Sequence, residues 1–310
     1  MANQKTKFLI ICNARTGSTW LSTTLGSLND TYTEYEFKWK PLNKNPVPLH
    51  YILDKADTSI SKVLDSFKVS HEILGSRLVL GPRYHSQADF DSLRSCLSPN
   101  LKIIHIYRQY EDILFSWAGP EDRYIKSTGI KFKGQISDDI LKDRSENFTK
   151  RSIKQRIEDN LTLITLKALA ANPEEFLEFK KQNLNFRNYL SSSELISTSD
   201  AIKEEKFFFP KAGTCIYLRE LLANDMWIHN LRRTFDFLSI PYESIANRLA
   251  EIVSFIGSNA SAKECSEVLN KPVVSKVVSQ KPKDKILYYK EFSDLCKSYM
   301  EIFENTIKRE

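Results

Sequence analysis

The feature that most constrains this chain is a short apolar run, Phe8–Cys12 (FLIIC), cut off by Asn13-Ala-Arg-Thr-Gly. An unbroken apolar run of strand length has no polar face to turn to water. It predicts a strand over 7–12 covered on both sides, as in parallel sheets. After the turn at 13–17, Leu21, Leu25 and Leu28 recur at helical spacing and predict a helix over 18–28. Strand, turn and helix in that order open a βαβ unit. A second buried run, Leu101–Tyr107 (LKIIHIY), leads straight into Arg108 and a helix over 111–117, which Gly119-Pro120 stops.

The remaining patterning predicts strands over 32–37, 72–80 and 235–241. It predicts helices over 57–67, 89–96, 144–171, 217–235, 242–255 (closed by Gly257) and 285–307. Pro41, Pro46 and Pro48 predict a loop, and so does the serine-rich stretch 190–199. Strands alternating with helices predict an α/β fold of three layers with a mainly parallel central sheet. The expectation is one domain over 1–310, carrying a helical insertion at about 120–212. In such sheets ligands bind beyond the carboxyl ends of the strands, so the informative residues are those that follow strands directly.

Composition narrows the function classes. A hydrophobic share of 41% supports a large core and excludes general disorder. The 45 Lys+Arg against 39 Asp+Glu leave a net charge of +6, too small and too dispersed to argue for nucleic acid. The apolar runs are far short of the ~20 residues that span a bilayer. Met1–Lys7 is polar and does not read as an export signal, so a cytoplasmic location is expected. Five cysteines without CxxC, and five histidines without ligand spacing, predict neither a disulfide frame nor a metal site.

Two sets of residues follow strands directly. The first is Asn13-Ala-Arg-Thr-Gly-Ser-Thr-Trp20. A turn rich in small residues that opens a helix presents backbone N–H groups and the helix's partial positive charge to an anion. Gly17 permits close approach, Ser18 and Thr19 offer hydroxyl donors, and Arg15 adds a fixed charge. GxxxxGK[ST] is absent, so this is not the NTPase loop. The plain alternative is an ordinary turn with Ser18 as N-cap. The second set is Arg108, at a strand's carboxyl end, and Ser116 eight residues on. Arg108 can fork onto a phosphate, and Ser116 can add a hydroxyl if the helix packs back over the strand end.

RTGSTW resembles the loop with which sulfotransferases hold the 5′-phosphosulfate of PAPS (3′-phosphoadenosine 5′-phosphosulfate). The strand, Arg108 and Ser116 resemble that family's 3′-phosphate site. Phe237–Gly257 is similar to its late strand, Tyr-Glu pair (Tyr242–Glu243) and following helix. The resemblance covers about 7–117 and 217–257 and implies a P-loop-type sandwich. It implies a metal-free transfer of a sulfuryl group from PAPS to a hydroxyl of a carbohydrate or other small-molecule acceptor. It also implies cofactor contacts from Arg15, Thr16, Gly17, Ser18, Thr19, Trp20, Arg108 and Ser116, with Arg15 acting on the reacting group.

A base must take the acceptor's proton. The TEYEFKW segment resembles one in bacterial sugar sulfotransferases whose Glu is the base, which points to Glu36. Glu34, on the same strand face if the segment is extended, is the rival, and Glu36 is favoured because it ends the predicted strand. Arg77 stands where relatives often carry Lys. His85, after Gly81-Pro82, is a further route to a base, and a lone histidine is more often a bystander, as His50 and His105 are. Trp20 and Trp117 compete as the surface for adenine. By resemblance, Lys276, Ser279 and Lys281 form a late basic loop over the 3′-phosphate. Two other classes stay open: a P-loop kinase, separable by its need for magnesium, and a non-catalytic nucleotide-binding protein. Arg144–Gly213 covers the acceptor side in this reading, and oligomeric state has no sequence signal.

Overall fold

A single parallel sheet organises the molecule. The structure is a computed structural model that describes residues 5–39, 50–53, 59–81, 85–118, 152–182, 184–270 and 282–309. The strands are β1 (Thr6–Asn13), β2 (Thr31–Trp39), β3 (His50–Leu53), β4 (Ile73–Leu80), β5 (Lys102–Tyr107) and β6 (Phe237–Pro241). Their spatial order is β3-β2-β4-β1-β5-β6, and each adjacent pair is parallel. This is the α/β architecture that the alternation predicts. β1 lies at the centre, between β4 and β5, so the loop that follows it opens where the two halves of the sheet diverge.

Phe8 to Cys12 are fully buried because both faces of β1 are covered. Phe8, Ile10 and Cys12 pack with Trp20, Leu21 and Leu25 of α1 (Ser18–Leu25) and with α9 (Leu249–Ile256). Leu9 and Ile11 face the other way, towards α2 (Ile60–Asp65), α3 (Gln87–Ser95) and Ile228 of α8 (Lys211–Asn230). A third core joins α4 (Tyr110–Ala118), α5 (Ile153–Leu169), α8 and α12 (Tyr289–Arg309). Helix α8 therefore belongs to both the sheet layer and the helical cover. The described part of 120–212 is helical, with α5, α6 (Pro173–Lys181), a 3₁₀ turn at Phe186–Tyr189 and α7 (Ser192–Lys203). Helix α10 (Ala262–Asn270) and the short α11 (Pro282–Lys285) complete the described elements.

Several elements differ from expectation for local reasons. The serine-rich stretch is helix α7: Ser191 caps it and Glu194 reaches back to the cap, a capping box that outweighs serine's weak propensity. Asn172 and Pro173 start α6 by the same logic, as N-cap and first helical residue. The predicted helix 242–255 is a 3₁₀ turn at Tyr242–Ser244 followed by α9, ended by Gly257 with φ 81°. Strand β3, which starts two residues after Pro48, was not predicted.

Among the described residues no helix is long and apolar enough to cross a membrane. Among the described residues, no group of three or more His, Cys, Asp or Glu side chains is placed to hold a metal ion.

Candidate active site

The loop between β1 and α1 bends twice through the left-handed region, at Arg15 (φ 72°) and Gly17 (φ 86°). Gly17 is the N-cap of α1, so the cap is not Ser18 as the plain reading of the turn had it, and no side chain bonds back to close this end. The first turn of α1 also holds no acidic residue. Its leading N–H groups are thus left for an anion. The Thr16 hydroxyl is spent inwards, donating to the Asn13 carbonyl at 2.8 Å. Arg15 and Thr19 are exposed, and Ser18 is buried.

Beneath the loop lies Cys12. Burial pushes its thiol up to about 11, against the neighbouring Thr16 and Ser18 side chains, which lower it. That is a thiol held protonated below the loop, not a nucleophile.

Arg108 arrives from β5, the parallel neighbour of β1, at the same edge of the sheet. Its Nη1 donates to the Arg15 carbonyl at 3.2 Å, although the two residues are 93 positions apart. Its Nε lies 3.5 Å from Asp112 Oδ2, one turn along. The guanidinium sits over the Tyr242 ring, 4.6 Å from the centroid. Arg15 rests in turn on Trp117, at 5.4 Å. Two fixed positive charges therefore flank one helix N-terminus, each backed by an aromatic face. Ser116 is buried on α4, next to Trp117, which is 42% exposed. Trp20 is 8% exposed and meets Tyr242 edge-on at 6.4 Å.

Tyr242, named from the sequence only as part of the Tyr-Glu pair, belongs to this site. It follows β6 directly, and its ring covers Gly17 so closely that a Cβ there would collide with it. Beside that resemblance, its position just past a strand's carboxyl end was the signal for a place in the site. Gly17→Ala consequently meets both a left-handed backbone and the Tyr242 ring. It is expected to cost more than about 1 kcal/mol of stability, measured by urea denaturation.

Glu36 is placed differently from expectation. β2 runs on to Trp39, so Glu36 lies three residues inside the strand rather than at its end. It stands opposite Arg77 of β4, and Arg77 Nε donates to Glu36 Oε2 at 2.8 Å. Both side chains are largely buried, at 13% and 17% exposure. Their charges reach the Cys12 thiol below the loop. The register between β2 and β4 slips between Thr33 and Glu36, where residues 34 and 35 face residue 76 alone. The strict alternation that would relate Glu34 to Glu36 is broken by this bulge, and the Glu34 side chain lies outside the described residues. The His85 ring packs on Phe90 at 5.3 Å, and Phe90 stacks on Trp227 of α8. His105 is fully buried. Lys276, Ser279 and Lys281 fall outside the described residues, as does the His50 side chain.

A cavity of about 380 Å³ lined by Lys5, Lys7, Ser98 and Lys102 lies at the amino-terminal edge of the sheet, away from all of these groups.

No protein-family model matches the chain, and no curated protein matches it. Among solved structures, the chain is similar to the crystal structure of a sulfotransferase from Alicyclobacillus acidocaldarius, at 12% identity and a TM-score of 0.42, over 99% of this chain and 97% of that one.

Proposed function

We propose that this protein is a sulfotransferase that moves a sulfuryl group from PAPS to a hydroxyl of a carbohydrate or other small-molecule acceptor. The observation that carries the reading is the Arg108–Arg15 hydrogen bond. Two strand-end motifs, each suited to a phosphate, come together at one edge of the sheet around a helix N-terminus without a side-chain cap. A ligand with two separate phosphate groups fits such a pair better than a ligand with one.

The residues present fit that donor. The head of α1, with Arg15, Gly17, Ser18 and Thr19, would hold the 5′-phosphosulfate. Arg108 and Ser116 would hold the 3′-phosphate. When bound, PAPS supplies the sulfuryl group, whose bond to the 5′-phosphate oxygen breaks as the acceptor oxygen bonds to sulfur. The protein's part is positioning, charge and one proton. Arg15 and the loop N–H groups meet the negative charge that grows on the leaving phosphate and sulfuryl oxygens. Glu36 takes the acceptor's proton on its carboxylate, with Arg77 orienting it.

The test is a calorimetric comparison of adenosine 3′,5′-bisphosphate with AMP. The wild type is expected to bind the bisphosphate more tightly. Arg108→Ala is expected to lose about 1.5–3 kcal/mol of that binding, the weight of a charge-assisted contact, and Ser116→Ala is expected to lose less. Equal affinity of the wild type for both nucleotides overturns the reading.

A further inference from the structure

One short segment of α8 is bonded to the ends of β1 and β4 and to the interior of β5. The Asn13 amide donates to the Leu221 carbonyl at 3.1 Å, and the Asn224 amide donates to Asn13 Oδ1 at 2.9 Å and to the Gly81 carbonyl at 3.2 Å. At the next position, Asp225 Oδ2 accepts from the Tyr110 hydroxyl at 3.0 Å, and Oδ1 lies 3.1 Å from His105 Nε2. The other ring nitrogen, Nδ1, is 3.3 Å from Ser239 Oγ on β6. With Asp225 as the acceptor, Nε2–H donates to the carboxylate. Burial, and after it the Asp225 charge, push the Tyr110 phenol well above its ordinary range, so it stays a donor.

These groups are deep. Asn13, His105, Tyr110 and Asp225 are fully buried, and Asn224 is 1% exposed. Burying this many polar atoms gains no hydrophobic free energy, and an apolar cluster of the same shape is often as stable. What the network provides is a fixed geometry. Asn13 is the last residue of β1, directly before the loop that carries Arg15. Gly81 follows β4, which carries Arg77. His105 and Tyr110 stand on either side of Arg108. The same helix packs against α5 and α12 in the cover.

We propose that Asn224 and Asp225 are positioning residues of the anion site. They hold the β1 loop and the β5–α4 junction in the one relative placement in which Arg15 and Arg108 engage the same ligand. Neither residue touches that ligand. The proposal rests on the bisphosphate reading above and adds what sets the spacing of its two phosphate contacts.

The experiment uses the full chain and measures, by calorimetry, the Kd for AMP and for adenosine 3′,5′-bisphosphate, with thermal unfolding recorded alongside. Asp225→Asn is expected to lower the ratio of the two Kd values by about 2- to 30-fold, the usual range for a residue that couples two sites. Tyr110→Phe removes one bond to the carboxylate and leaves the other, so it carries the test if Asp225→Asn does not fold. A fall of at least about twofold in the ratio is expected there. A purely structural role lowers the melting temperature and scales both nucleotides alike. An unchanged ratio in the folded variants overturns this proposal alone. A wild type without preference for the bisphosphate overturns the functional reading as well.

Discussion

Arg15→Ala is expected to lower the rate of sulfuryl transfer by about 10²–10³, the scale set by removing one donor aimed at charge that develops in the transition state. Charge on the departing phosphate and sulfuryl oxygens is greater at that point than in the bound ground state, so a cation there acts on kcat more than on affinity. The substitution is clean in backbone terms. Arg15 already holds φ 72°, and its carbonyl, not its side chain, accepts from Arg108. Alanine therefore adds no new backbone strain and leaves that contact in place. Arg15→Lys keeps the charge but loses the planar fork and the fit on Trp117, and is expected to recover only part of the rate. The measurement is transfer of radiolabelled sulfate to a library of hydroxyl acceptors. An unchanged kcat with a raised Kd for the donor makes Arg15 a binding residue and assigns the electrophilic role elsewhere.

The second large effect concerns the proton. Glu36→Gln is expected to reduce transfer by about 10²–10⁴, the usual weight of general-base catalysis. The amide oxygen can still accept from Arg77, so the partner keeps a bond, but the side chain can no longer take a proton. Losing one charge of a largely buried pair also costs stability, because Arg77 remains charged. Thermal unfolding and bisphosphate binding must therefore accompany the rate. Retained binding with the rate lost is the expected outcome, and the acidic limb of the pH–rate profile disappears with it. Glu34→Gln is expected to change the rate far less. A dead Glu34→Gln beside a live Glu36→Gln moves the base into the bulge. If neither matters and His85→Ala abolishes turnover, the base lies on the segment after β4.

The centre of this fold is legible in the sequence because β1 and β5 each carry a nearly unbroken apolar run, and such runs fit a sheet covered on both faces. The residues that follow those strands, Arg15 and Arg108, are legible for the same reason. Their contact is not, because it depends on β5 lying beside β1, and no local pattern encodes that order. Glu36 was readable as a carboxylate on β2 but not as one three residues inside it, since a bulge and an extended strand leave no mark on apolar spacing. The placements of Tyr242 and Asp225 lie further from what a sequence can show. One is defined by the glycine it covers, and the other is a buried charge whose partners come from β5 and α4. Serine-rich α7 is different in kind: Ser191 and Glu194 carried a helix-start signal that composition concealed.

The cover that Tyr242 forms over Gly17 has a consequence for the order in which a growing chain becomes competent. The loop leaves the ribosome well before the ring that closes it is made. At about 5–20 residues per second the interval is on the order of 10–45 s. β4 and β5 are both synthesised within that interval, so the centre of the sheet can assemble around β1 while Gly17 is still open to water. Asp225 arrives shortly before β6 and Tyr242, which places the spacing device and the aromatic cover at nearly the same stage of synthesis. A nascent or prematurely ended chain that stops short of residue 242 thus carries the apolar centre of the fold without the completed site.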